Sequence, residues 1–287
     1  MPRVVVVTDS TASLPAAVAQ ARGIRVVPLQ VVIGATVLDE GPGGATPDVV
    51  AQALRDFVPV STSRPAPALF AELYRRLQAD GVEEIVSVHL SSEMSGTFES
   101  AQLAALDVEL PVHAVDSGQV GIATGYAALT AADVIDAGGT GQEAAEAALA
   151  RSEAATSLFY VDTLEHLRRG GRIGAAAAIV GSALSVKPLL EIAEGRVVPR
   201  ERVRTASRAL ARLADLAVEV AGDQLVDVSV AHLANPERAG ELAATLAERL
   251  ADGLDGREVM CGELGAVLGA HVGPGMVAVC VAPRPLL

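Results

Sequence analysis

Residues 158–190 read LFYVDTLEHLRRGGRIGAAAAIVGSALSVKPLL, and the chemistry of the chain is densest there. Arg172 follows Gly170-Gly171 and opens a run of small residues. An arginine among glycines at the start of a small-residue helix brings positive charge and free backbone N–H groups together, which suits an anion. Elsewhere hydroxyl side chains cluster in Thr8-Asp9-Ser10, in Ser61-Thr62-Ser63-Arg64-Pro65 and in the SSEMSGT segment at 91–97, and His271 stands beside glycines in HVGPG. A carboxylate accepts several hydrogen bonds, and hydroxyls supply them without a full opposing charge. Thr62, Ser92 and Ser95 are such donors, His271 can add one from either ring nitrogen, and its glycine neighbours let backbone approach a ligand closely. A carboxylate with a long apolar tail needs polar capture at one end and an apolar tunnel behind it. A chain this rich in Val, Leu, Ile and Ala can line one.

The same residues admit plainer roles. A Ser/Thr cluster before Arg64-Pro65 has the composition of a helix cap. Ser92 and Ser95 could cap the helix that follows them, and a lone histidine is more often a hydrogen-bonded structural residue. Arg168, Arg169 and Arg172 make a solvated basic helix end that the dipole favours.

Several elements must position these groups. Residues 3–8 read as a buried strand, Ser13-Leu14-Pro15 starts a helix that Gly23 stops, and 24–33 supplies further strand. Thr46-Pro47-Asp48 has the form of an N-cap, a first-turn proline and a first-turn acid, with Val50, Leu54 and Phe57 on one face. Leu69, Leu73 and Leu77 mark another helix, 85–90 and 112–115 further strands. Short β-rich runs alternating with helices predict a mainly parallel α/β layer with hydroxyls at strand ends, where open sheets place ligands. After about residue 155 the texture changes: 192–203 reads as a hairpin turning at Glu194-Gly195, 225–232 as a strand, and Leu242, Leu246 and Leu250 as one helix stripe. Val259 and 276–281 read as closing strands. The division predicted is an α/β domain at 1–155 and an α+β domain at 156–287.

The chain has 287 residues, 51% of them hydrophobic, with three Tyr, four Phe and no Trp. Few aromatics weaken any reading that needs stacking on bases or sugars, and a net charge of −13 repels polyphosphate backbones and anionic membranes. Nucleic-acid binding and stable membrane insertion are not expected. The start, MPRVVVVTDS, is too short in apolar residues for a signal peptide, so a soluble cytoplasmic protein is expected. Cys261 and Cys280 lack metal-ligand spacing and read as small core residues, and no metal site is expected.

Taken in order, the Thr8, Ser61, Ser91 and His271 segments, Val115-Asp116-Ser117-Gly118 and the 158–190 stretch resemble motifs of the DegV family, two-domain bacterial proteins that bind fatty acids. The resemblance runs essentially from end to end. It implies a ligand between the two domains and no cofactor, the bound ligand being a long-chain fatty acid in an apolar tunnel. It implies that Thr62, a serine (Ser92 or Ser95) and nearby His271 hold the carboxylate. It also implies no catalysis by this chain itself, but presentation of the carboxylate to a separate fatty acid kinase that forms an acyl phosphate. Arg204 matches a family arginine associated with that partner, and Arg172 is a second docking candidate. The chain departs from common family forms in Arg64, where glutamine is frequent, and in the loop Gly41-Pro42-Gly43-Gly44. No G-x-x-x-x-G-K-[ST] phosphate loop is present, so ATP binding is not expected of this chain. Two alternatives remain open: a serine-dependent lipid hydrolase or acyltransferase, although the G-x-S-x-G elbow is lacking, and a carrier for another carboxylate-bearing lipid.

Overall fold

The structure, a computed structural model, describes residues 3–179 and 187–285. In chain order its strands are β1 (Val4–Asp9), β2 (Arg25–Val27), β3 (Gln30–Ile33), β4 (Thr36–Asp39), β5 (Val60–Ser63), β6 (Glu84–His89), β7 (Val112–Asp116), β8 (Thr156–Tyr160), β9 (Lys187–Ala193), β10 (Arg196–Val203), β11 (Val226–His232), β12 (Met260–Glu263) and β13 (Val277–Pro283). They form three sheets, ordered β2-β1-β6-β7, β4-β3-β5 and β10-β9-β8-β13-β11-β12. By contacts the chain divides into two compact units, residues 1–30 with 63–153 and residues 31–62 with 154–287. Residues 31–62 thus group with the C-terminal part, where a single cut after 155 would leave them with the first domain. Their partners are distant in sequence: the helix Pro47–Arg55 packs on the helix Ala266–Val272, and Glu40 bonds Val267.

In the first unit every strand pairing is parallel. Side chains alternate across the pleat, so Val6 and Val7 enter different cores. Val6, Val86, Val88 and Val115 meet the alanine-rich helices Ile122–Asp136 and Gly141–Ala154. Val7, Val27 and Ile85 meet Phe70, Tyr74 and Leu77 of the helix Pro67–Ala79, together with Ala101 and Ala104. The buried face of that helix is Phe70, Ala71, Tyr74 and Leu77, while Leu69, which leucine spacing had placed inside, is 44% exposed. Aromatic bulk decides the face over leucine periodicity.

A polar chain runs through this core. Tyr74 Oη lies 2.8 Å from Ser87 Oγ, Ser87 Oγ 2.7 Å from His89 Nε2, and His89 Nδ1 2.9 Å from Asp9 Oδ2. Asp9 also accepts from the Leu90 and Thr11 amides and from the Thr11 hydroxyl. All five side-chain residues of this chain are fully buried. Buried polar groups require partners, and Asp9 supplies them at the end of β1.

In the second unit the six-stranded sheet is antiparallel except for β11 against β12. The helices Ala206–Ala221 and Pro236–Arg249 cover it, with Leu213, Leu216, Leu242 and Leu246 buried on Leu158, Tyr160, Val228 and Val279. The β9–β10 hairpin turns at Glu194-Gly195, both with positive φ (50° and 74°), as tight hairpins need. Thr46 caps its helix through the Val49 amide. Phe57, expected on the inner face, lies past the helix end with φ 56° and is 86% exposed. Cys280 is buried as expected, but Cys261 is exposed because β12 forms the sheet edge. After Arg172 the chain forms a short 3-10 turn, Gly174–Ile179, and the rest of the expected small-residue helix, 180–186, lies outside the described residues. Among the described residues no helix is long and apolar enough to cross a membrane.

Asp9→Ala strands the His89 ring and the Leu90 and Thr11 amides without an acceptor. A loss of at least about 2 kcal/mol in unfolding free energy is expected, read by circular dichroism in urea. An unchanged midpoint would contradict the keystone role given to Asp9.

Candidate functional site

Thr62 lies on β5 and His271 in the last turn of the helix Ala266–Val272, both in the second unit. Thr62 Oγ1 and His271 Nε2 are 2.8 Å apart. Both residues are half-buried, and His271 Nδ1 is cut off from solvent without a hydrogen-bond partner. An unpaired ring acceptor is cheaper to bury than an unpaired N–H. The network therefore assigns the proton to Nε2, which donates to Thr62 Oγ1 and leaves the Thr62 hydroxyl proton to point onward.

The pair lines a pocket of about 430 Å³ together with the apolar Leu54, Val58 and Val60 and the basic His166, Arg169 and Arg172. The short helix Glu165–Arg169 builds the basic wall. Its buried Leu167 anchors it, and it ends in Gly171 at φ 71°, with the Gly171 amide donating to Arg168 O and the Arg172 amide to Leu167 O. That is the glycine-dependent way a helix satisfies its last carbonyls. Arg172 then turns back, Nη1 donating to Gly170 O at 2.6 Å. Arg168 and Arg169 both pair with Glu165, so Glu165 neutralises part of their charge.

Two histidines interleave with two glycines here. A Cβ on Gly170 would collide with His271 Nδ1, and one on Gly273 (φ 76°) with the His166 ring. Burial, helped by the Arg172 charge, pushes His271 down to about 4. His166 is lowered too, by burial first and then by Arg169. Two neutral imidazoles, a hydroxyl and two guanidinium groups share one pocket lining with apolar side chains. Such a set has the chemistry to suit a carboxylate or a similar anion attached to an apolar body.

Ser92 and Ser95 belong to the first unit, in the turn after β6. Asp116 Oδ1 holds the Ser92 amide (3.1 Å) and the Gly118 amide (3.0 Å), leaving the Ser92 hydroxyl outside that contact. Ser95 Oγ pairs with Thr97 Oγ1 at 2.8 Å. Neither serine caps the helix Thr97–Ala105, whose N-cap is Gly96. Arg64 Nη1 reaches Gly96 O at 3.4 Å, where a Cβ on Gly96 would meet its guanidinium. Arg204 is exposed just after β10 and takes no part in the pocket. His166 and the walls Leu54, Val58 and Val60 were missed by sequence reasoning. The signal for His166 was its spacing of three and four from Arg169 and Gly170.

For a hydrolase, Asp9, His89 and Ser87 line up as an acid–base–hydroxyl chain, but all three are fully buried and Ser87 is bonded to Tyr74. A nucleophile needs access to its substrate. Among the described residues no group of three His, Cys, Asp or Glu is placed to hold a metal ion.

The family model described as "uncharacterised protein, DegV family" matches residues 3–284. This chain belongs to the DegV family. A DegV domain-containing protein of Streptomyces coelicolor is 51% identical over 282 residues, 98% of this chain and 99% of that one. Among solved DegV structures, the Thermus thermophilus protein, described for its fatty acid binding, superposes with a TM-score of 0.90 at 33% identity, covering 98% of this chain and 100% of the other. DegV of Bacillus subtilis, described as a fatty acid binding protein, gives 0.89 at 30% identity, covering 99% and 100%. The parallel first unit and the α+β second unit are those of a two-domain DegV protein.

The buried imidazole has a pH consequence. An unfolded His271 takes a proton near its ordinary 6.5 and the folded one only at about 4. Between these values the unfolded state binds more protons, so this contribution to stability is complete above 6.5 and is lost as pH falls toward 4. The His271 Cε1–H resonance should keep its neutral position down to about pH 5. A titration midpoint near 6.5 would contradict the buried neutral ring.

Proposed function

We propose that this protein binds a long-chain fatty acid and holds its carboxylate on Thr62, whose hydroxyl His271 orients. The observation that carries the reading is their 2.8 Å contact on the lining of a pocket that holds both apolar side chains and arginines. A carboxylate at that contact accepts the Thr62 hydroxyl proton, which the imidazole behind it leaves free to donate. The acyl chain continues over apolar side chains, so the head is held by directed hydrogen bonds and the tail by removal from water. The pocket falls within the roughly 300–1,000 Å³ range of small-molecule sites. The fatty-acid-binding descriptions of the Thermus and Bacillus proteins support the same ligand class. Of the two serines, Ser92 is the proposed carboxylate contact, because the Ser95 hydroxyl is already engaged with Thr97.

The protein acts here as a binding subunit with no chemistry of its own. A separate fatty acid kinase receives the presented carboxylate, whose oxygen attacks the γ-phosphorus of ATP held with magnesium on that partner. The new bond makes an acyl phosphate, and the broken P–O bond releases ADP. Positioning the head and desolvating the tail is this chain's share of that reaction. Arg204, exposed just after β10, is the proposed docking residue, with Arg172 on the pocket lining as the second.

Thr62→Val keeps the side-chain shape and removes the donor. Fatty-acid affinity measured by calorimetry should weaken by about 1–3 kcal/mol, and unchanged affinity would remove Thr62 from the head-group site. Arg204→Ala should retain full lipid affinity and lower kinase-dependent turnover. Lost lipid binding in that variant would overturn the docking assignment.

A further inference from the structure

The loop Gly41-Pro42-Gly43-Gly44 is built around one carboxylate. β4 ends at Asp39, and the chain doubles back at once: the Ala45 amide donates to Asp39 O at 2.9 Å and the Gly41 amide to Ala45 O at 3.1 Å. Gly41 and Gly43 have φ of 135° and 83°, and a Cβ on Gly44 would strike the Asp39 carbonyl. Glycine is therefore required three times to make so tight a return. The residue this return presents is Glu40. Its Oε1 accepts the Val267 amide at 2.8 Å, across 227 positions of sequence.

Val267 is the second residue of the helix Ala266–Val272, the helix that carries His271. That helix starts at Gly265 without a side-chain cap of its own. A helix start leaves amides unpaired, and a side-chain oxygen from the preceding residue usually serves them. Glu40 performs that task from another element. Gly265 makes room for it, since a Cβ there would fall on Glu40 Oε1. The other end of the arrangement is equally specific. Glu40 follows β4 in the sheet β4-β3-β5, and β5 carries Thr62. One carboxylate thus ties the His271 helix to the sheet that bears Thr62.

We propose that Glu40 is a positioning residue of the carboxylate site, setting the Thr62–His271 contact by pinning the start of the His271 helix to the Thr62 sheet. The helix has only seven residues, so a shift at its first turn is carried directly to His271 near its last. The same loop hands the chain to Thr46 and to the helix Pro47–Arg55, which packs against the His271 helix and brings Leu54 to the pocket wall. The affinity readout below rests on the proposed fatty-acid contact of Thr62 as oriented by His271, whereas the spectroscopic readout does not.

The test uses the full chain with three variants, Glu40→Ala, Glu40→Gln and Gly265→Ala. Gly265 has φ −57°, which alanine adopts freely, so its methyl group displaces the carboxylate without straining the backbone. Two quantities are measured: the imidazole nitrogen resonances of His271 and the affinity for palmitate. Glu40→Ala and Gly265→Ala should both move the His271 resonances and weaken palmitate about tenfold, the effect of losing a helix cap. Glu40→Gln, which keeps the accepting oxygen, should bring both back toward wild type. Added to His271→Ala, Glu40→Ala should weaken palmitate no further. Unmoved His271 resonances in both Glu40→Ala and Gly265→Ala would overturn the proposal, as would an undiminished loss in the His271→Ala background. A wild-type protein that takes up no palmitate would sink the fatty-acid reading instead, and the His271 resonances would still decide the role of Glu40.

Discussion

A single hydrogen bond joins Thr62 to His271 across 209 positions of sequence, and the candidate site depends on it. Its geometry comes from glycine on one side and burial on the other. Gly170 leaves space that His271 fills, Gly273 leaves space that His166 fills, and the enclosed His271 ring stays uncharged at neutral pH. A charged ring would face Arg172 across a poorly hydrated pocket wall. A neutral one can orient a hydroxyl at no electrostatic cost.

This arrangement separates holding from neutralising. The Thr62 hydroxyl and the His271 imidazole form a neutral, directed pair, while Arg169 and Arg172 provide a positive field that Glu165 partly balances. A full ion pair in a closed site is hard to form and hard to break, because both charges must leave and regain water. Neutral donors with positive charge nearby would release an anion at a lower cost than a closed ion pair. In the first unit, taken by itself, the parallel sheet has a polar interior organised by Asp9.

Local features of the sequence were legible and non-local ones were not. β1, β6 and β7, the Thr46 cap and the Glu194-Gly195 hairpin follow from periodicity and turn chemistry read over a few residues. Thr62 and His271 were assigned to one site through family resemblance alone, since no spacing rule links residues so far apart, and their hydrogen bond was not foreseen. Phe57 was misplaced because its helix stops two residues earlier, and Leu69 because Phe70 and Tyr74 claim the buried face. The grouping of 31–62 with the C-terminal part rests on contacts such as Glu40 with Val267, which leave no local signature. His166 was hidden for a related reason: it sits in a stretch that reads as a basic helix end, and only the glycine opposite it shows that the ring is accommodated.

The measurement closest to the central claim is mass spectrometry of an organic extract from the purified, unfolded protein, set against a mock purification. A stoichiometric long-chain fatty acid, reduced in the extract of the Thr62→Val protein, is what the Thr62–His271 site predicts. An empty extract from wild type that also takes up no added fatty acid would contradict it.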